Sequence, residues 1–212
     1  MSDSLSTLNA QFAYRLMNLC VKSEPVSLLP IVVVIDGEQQ KLEECAKISK
    51  DDDYTFRIIP EFSSDIPALA QAIFKVHPEF KQEMLTEEVD YFDEEGEECR
   101  DKVPYILLTM PEVNEERYDV LKDGVKVVYD DTKVKMENVV ANADARMAEL
   151  MADESESEIE KLKKARDKQV KTWADQRDKV LNEKLQEIEE AYHKWLNSEA
   201  EERLKRMKED GV

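Results

Sequence analysis

The hydrophobic period of this chain changes twice, and that order of patterns constrains the fold more than any motif. Leu5, Leu8, Phe12, Leu16 and Leu19 recur at steps of three and four. That spacing puts them on one face of a helix, with Ser4 or Asp3 as its cap. Pro25 and Pro30 end it. The run Ile31–Ile35 reads as a buried strand, and Asp36-Gly37 as a turn. A second strand is expected within Leu42–Ile48. Tyr54, Phe56 and Ile58 alternate with Thr55, Arg57 and Ile59, which predicts a third. Ser64-Asp65 before Ile66-Pro67 predicts a helix start, with Leu69, Ile73 and Val76 on its apolar side. Val103–Met110 is a further strand, and Pro104 places it at an edge or near an end.

From Glu112 the period lengthens again. Leu121, Val125, Val128, Met136, Val139, Ala143, Met147 and Leu150 keep a seven-residue rhythm. Asp153–Ser157 interrupts it and supplies caps. Ile159, Leu162, Val170, Trp173, Val180, Leu185, Ile188, Tyr192 and Trp195 continue it on another helix. Two helices of about 40 residues would each reach roughly 60 Å, and the short turn between them makes them antiparallel. The charged tail Asn197–Val212 is expected to fray. The predicted fold class is therefore α+β: an elongated antiparallel three-helix bundle with a small α/β module inserted between helices one and two. The bundle takes residues 1–25 and 112–212, and the module takes residues 26–111.

Composition narrows the function classes. With 49 acidic against 30 basic residues the net charge is −19, so the molecule as a whole repels polyanions. Any RNA contact has to use a local basic face. Only 4 Gly and 7 Pro fit long solvated helices better than a loop-rich enzyme. Three cysteines (Cys20, Cys45 and Cys99) without metal-type spacing predict free thiols in a reducing compartment. Met1–Asn9 lacks the basic and apolar regions of a signal peptide, and the longest apolar run, Leu28–Ile35, is too short to span a bilayer. The expectation is a cytoplasmic protein without a membrane partner.

Catalytic signatures are missing. There is no Gly-rich phosphate loop, no His-Glu-x-x-His pair and no Gly-x-Ser-x-Gly elbow. His77 and His193 fall in different modules, and no Cys/His cluster suggests a metal. No enzyme activity, cofactor or metal is expected. Two charged stretches stand out. Glu83–Asp101 carries ten acidic residues against one Arg and reads as a solvated loop, or alternatively as an acidic docking or nucleic-acid-mimicking arm. The stretch 161–179 carries eight basic and three acidic residues, with Lys161, Lys164, Lys168 and Lys171 on one stripe. The stripe is either a solvated helix face or a phosphate-contacting surface. Arg117, Lys122, Lys126 and Lys133 lie at wide helical spacing and add to it under the second reading. Trp173 and Trp195 sit on the apolar stripe, where packing is the expected role.

The inserted-module layout and several local strings resemble the ribosome recycling factor family. Leu28-Leu29-Pro30-Ile31-Val32-Val33 is similar to the family's entry into its first strand. Gly37, Leu42, Ala46, Ile48, Asp52, Thr55, Ile58, Ser63-Ser64, Ala72 and Ile73 follow at similar spacings. Asn114-Glu115-Glu116-Arg117 resembles the start of its second helix. Leu121, Val125, Lys126, Asn138, Val139, Ala143 and Leu150 then match without a gap. The similarity covers about Leu28–Ile73 and Val103–Leu150.

The resemblance implies an L-shaped, non-catalytic factor whose bundle lies along large-subunit rRNA on the ribosome. It also implies elongation factor G as a partner acting on the small module after termination. The module would swing on linkers at Lys22–Leu29 and Met110–Asn114, with Lys22, Pro25 and Pro111 as hinge residues. The rRNA contacts implied are Arg117, Lys126 and Lys133, joined by the lysine stripe. Several positions depart from the family. Val140 and Ala141 replace two adjacent Arg, Glu137 replaces another, and Val21-Lys22-Ser23-Glu24-Pro25 replaces an Arg-rich turn. Each lost Arg removes a phosphate contact. The competing reading is an acidic interaction module that keeps the fold, has lost rRNA binding and takes a basic protein partner. A dimer through the exposed end of the long helices is a further one.

Overall fold

The computed structural model describes residues 1–92, 98–152 and 154–209, and the chain divides into two compact units. One unit takes residues 1–19 and 113–212, and the other takes residues 20–112.

The inserted unit begins with a 3-10 turn, Pro25–Leu28, followed by strand β1 (Val32–Ile35) and strand β2 (Glu38–Lys41). These pair antiparallel, Ile35 opposite Glu38. The turn between them needs positive φ at both central residues, as tight primed hairpin turns do. Asp36 has φ 52° and Gly37 has φ 85°. The expected strand across Leu42–Ile48 is instead split. Leu42–Cys45 forms a single helical turn, α2, and strand β3 runs over Ala46–Lys50. Glu44 makes the difference: its carboxylate accepts the Lys41 backbone N–H at 2.8 Å and closes the turn.

Strand β4 (Thr55–Pro60) buries Phe56, Ile58 and Pro60 in alternation, as the period-two pattern requires. Helix α3 (Ile66–Val76) carries Pro67 in its first turn and buries Ile66, Leu69, Ala72 and Ile73. Val76 was expected on that face but is 39% exposed, because the core stripe ends one turn earlier.

Glu83–Asp101 is not a loop within the described residues. Strand β5 (Lys81–Phe92) and strand β6 (Glu98–Thr109) pair in register from Lys81–Thr109 to Phe92–Glu98. Residues 93–97 of the expected loop lie outside the described residues. The four-stranded antiparallel sheet has the order β3-β4-β6-β5. Strand β4 accompanies β6 only from Ile106 to Thr109, so Pro104 sits where β6 has one neighbour. Its missing N–H is harmless there. Phe56, Ile58, Ile106, Leu108, Leu69 and Ile73 form the core of this unit, all essentially inaccessible. Ser23 N–H donates to Asp53 O at 2.7 Å, and Met110 N–H donates to Tyr54 O at 2.7 Å. Both entry and exit segments are therefore pinned to the β3–β4 turn.

The helical unit consists of α1 (Ser2–Met17), α4 (Glu115–Leu150) and α5 (Glu156–Glu209), which pack against one another. Helix α1 starts at Ser2 without a side-chain cap, so Ser4 and Asp3 lie inside its first turn. It buries Leu5, Phe12 and Leu16. Helix α4 buries Leu121, Val125, Val128, Thr132 and Met136. Phe12 meets Tyr129 edge-on at 6.2 Å. The long helices are unequal: 36 and 54 residues, or about 54 and about 81 Å at 1.5 Å per residue. The tail expected to fray stays helical to Glu209. Ser155 caps α5, exchanging its Oγ with the Glu158 carboxylate (3.0 Å) and the Glu158 N–H (3.4 Å).

Candidate nucleic-acid interface

The basic residues singled out from sequence all lie in the helical unit, but the fold sorts them into two groups. Helix α4 is oriented by contacts on two sides. Toward α1, Arg15 pairs with Asp131, and Leu19 approaches Gly124. Toward α5, the Tyr118 hydroxyl donates to Glu189 at 2.5 Å and that of Tyr129 to Asp178 at 3.2 Å. Counting roughly 100° per residue from the buried Val128, Lys133 and Lys126 fall at about 140° and about 160°, just past the α5 side. Both are exposed. Arg117 falls within about 20° of Val128 and is half-buried, turned toward the packed side.

Helix α5 shows the same order. Trp173 marks the α1 side, its carbonyl accepting from Asn9 Nδ2 at 2.9 Å. Arg177 is in the core, and Asp178 faces Tyr129 of α4. Lys171, Lys164, Lys168 and Lys161 follow at about 120° to about 200° from Arg177, and all four are exposed. Both lysine sets therefore lie beside the α4–α5 seam, on the side away from α1. The antiparallel register, fixed by Tyr129 at Asp178 and by Arg166 paired to Asp144 at 2.9 Å, staggers them along the axis. From Lys126 through Lys133 and Lys171 to Lys161 the row covers about 30 Å.

Among the described residues, Lys126, Lys133, Lys161, Lys168 and Lys171 have no carboxylate partner, while Lys164 pairs with Glu160 at 2.7 Å. Unpaired ammonium groups are the ones that gain most from a phosphate. Acidic Glu137 and Asp175 are exposed on the same face and limit its potential. Lys122 lies near this edge but is engaged: its Nζ is 3.1 Å from the Tyr118 hydroxyl and 4.8 Å from the ring centroid. That hydroxyl contact raises the Lys122 pKa.

Two arginines of the basic run 161–179 are structural. Arg177 is 8% exposed, stacks over Tyr129 at 4.6 Å and bonds Asp178. Arg166 faces Asp144. Their positions on the inward heptad line, with Val170, Trp173 and Lys184, are the sequence signal that separates them from the outward lysines. Trp173 and Trp195 are both half-buried, and Trp195 stacks on Tyr192 at 5.9 Å.

The residues named as hinges lie near the unit boundaries. Lys22 is exposed and pairs with Glu24 at 3.6 Å. Pro25 opens the 3-10 turn that buries Ser27 and Leu28. Pro111 is half-buried two residues before Val113. The chain passes between units at Leu19–Cys20 and at Glu112–Val113.

Among the described residues, no group of three or more His, Cys, Asp or Glu could hold a metal ion. The three cysteines are outside disulfides, and burial pushes the Cys45 thiol up. His77 is buried between Ser27 O (2.9 Å) and Glu79 (3.1 Å) and stacks on Phe80. No helix of the described residues is long and apolar enough to cross a membrane.

The chain thus combines a unit of three packed helices with an α/β unit inserted in sequence after the first of them. The family model of ribosome recycling factor matches residues 17–188. The chain belongs to the ribosome recycling factor family, whose members are non-catalytic translation factors. The fold agrees with a solution structure of the ribosome recycling factor: TM-score 0.67 at 17% identity, covering 89% of this chain and 92% of that one. A second similar structure comes from models of the T. thermophilus ribosome recycling factor and E. coli elongation factor G bound to the E. coli post-termination complex. There the TM-score is 0.52 at 18% identity, covering 88% of this chain and 93% of that one. No curated protein sequence matches the chain significantly.

Proposed function

We propose that the protein is a recycling-type translation factor that binds the ribosome through large-subunit rRNA and aids subunit separation after termination. The observation that carries this reading is the row of lysines beside the α4–α5 seam: Lys126 and Lys133 with Lys161, Lys164, Lys168 and Lys171. In a chain of net charge −19 such a row needs a reason, and a phosphate backbone supplies one. Arg117 takes a lesser part, because it is turned toward the packed side. Family membership supports the role, and the similar structure with elongation factor G supports that factor as the partner. The factor acts by binding, and covalent chemistry is left to the partner. Movement of the inserted unit would be concentrated at the two chain crossings, with Pro111 stiffening the second and Lys22 and Pro25 close to the first.

The test is subunit splitting of post-termination ribosomes with elongation factor G and GTP, followed by light scattering. The protein is expected to drive splitting. Lys161→Glu, Lys164→Glu and Lys168→Glu together are expected to abolish it while leaving the helical content unchanged. Full splitting by the triple variant would remove the lysine row from the mechanism.

A further inference from the structure

The β5–β6 ribbon gives this protein a second surface, unrelated to the lysine row. Strand β5 is an edge of its sheet: β6 pairs with it on one side, and no described strand pairs on the other. Twelve residues make an open edge of about 40 Å at 3.4 Å per residue. Its outward N–H and C=O groups are a template for another strand. From Leu85 onward the ribbon runs past the last residue of β6 that β4 accompanies, Ile106. Met84, Leu85 and Val89 are 64%, 39% and 41% exposed. They point to alternating faces, which gives an incoming strand apolar seats on both.

Charge selects the occupant. The described residues 83–92 and 98–102 hold six acidic residues, Glu83, Glu87, Glu88, Asp90, Glu98 and Asp101, against Arg100 and Lys102. Those two cations pair with Glu88 and Asp90 across the ribbon, at 3.6 and 2.6 Å from Arg100 and 3.8 Å from Lys102. Glu83 pairs with Lys81 at 3.1 Å and Glu87 with Arg57, so the strand offers a net negative charge, four carboxylates against Lys81 along β5, that an incoming cation would share. A second copy adding to this edge would set carboxylates against carboxylates, which destabilises strand pairing. A cationic strand would instead meet opposite charge along its length.

The geometry points to the outer edge of β5 as a docking site for an extended, lysine- and arginine-rich protein segment that joins the sheet as an added strand. Backbone bonds supply the affinity and the carboxylates choose the sign. The site belongs to the inserted unit and the lysine row to the helical unit, so its test uses no ribosome.

A fluorescent octapeptide of alternating Lys and Val is titrated against the full chain by anisotropy. Saturable binding is expected. Glu87→Lys, Glu88→Lys and Asp90→Lys together are expected to weaken it at least tenfold. Asp119→Lys, Asp123→Lys and Asp130→Lys, on the exposed side of α4, are expected to leave it within twofold. Two further peptides carry N-methyl groups on alternate residues in the two possible phases, so only one blocks the ladder bonds. One of them is expected to lose at least tenfold and the other to bind nearly as the parent does. Absence of binding by the parent peptide would overturn the proposal. So would equal loss in the α4 control, or equal binding of both N-methylated peptides, which would mark mere ionic attraction to an acidic protein.

Discussion

Gly124 sits in the middle of α4, where a glycine costs helix stability, and a Cβ built there would lie 3.3 Å from Leu19 Cδ2. Leu19 is half-buried beyond the end of α1, and only its side-chain tip is involved, so it has room to turn. Helix propensity then decides the sign. Gly124→Ala is expected to raise the unfolding free energy by about 0.5 kcal/mol in urea titration. A loss of more than about 1 kcal/mol would mean that Leu19 is locked and the close approach is required. Arg177 presents the opposite case. Its guanidinium is buried over the Tyr129 ring and bonded to Asp178 and the Tyr129 hydroxyl. Arg177→Ala is expected to cost about 2 kcal/mol, combining lost bonds and lost packing of the stem. Arg177→Met, which keeps the stem, should recover part of that. Equal loss in both variants would assign the whole effect to the charge.

At the scale of elements, caps and cross-strand pairing decided what the hydrophobic pattern left open. Asn114 accepts the Arg117 N–H at 2.9 Å and starts α4 there. Asn114→Ala is expected to lower stability by about 1 kcal/mol, read from thermal or urea melts. The long helices, the strand at Thr55–Pro60 and the helix behind Pro67 were legible because their apolar residues keep a period. The β5–β6 ribbon was not, because Glu and Asp are poor strand formers and dominate its composition. A signal was present in Leu85, Val89 and Tyr91, which share one strand face at even spacing along a run that also holds Thr86. The one-turn helix at Leu42–Cys45 was hidden for another reason: a single side-chain bond from Glu44 sets it, and no period exists over four residues. Replacing residues 89–101 by Asn-Gly would join Glu88 to Lys102, which face each other across the ribbon. The stability change is expected to be within about 0.5 kcal/mol, since the described residues of that part, 89, 90 and 98–101, are largely exposed. A larger drop would show that the ribbon's end supports the core.

At the scale of the molecule, the insertion of one unit into the other was readable from the order of periods, and the family from scattered matches held in sequence order. The proposed binding surface was only half readable. Lysines on one stripe of α5 could be placed by helical spacing, but their alignment with Lys126 and Lys133 depends on the register between α4 and α5. That register is set by Tyr129 at Asp178 and Arg166 at Asp144, pairs separated by many residues in the chain. Arg117 and Arg177 illustrate the converse, since a count of basic residues does not distinguish groups turned inward.

The central claim is that an acidic protein carries a lysine row that engages a phosphate backbone. The measurement that tests it most directly is co-sedimentation with large ribosomal subunits across a salt series. With about five lysine–phosphate contacts, affinity should fall by ~10²-fold or more between about 50 and about 200 mM salt. The slope should flatten in the variant carrying Lys161→Glu, Lys164→Glu and Lys168→Glu. Absence of binding at the lowest salt, or binding indifferent to salt and to those three substitutions, would contradict the account.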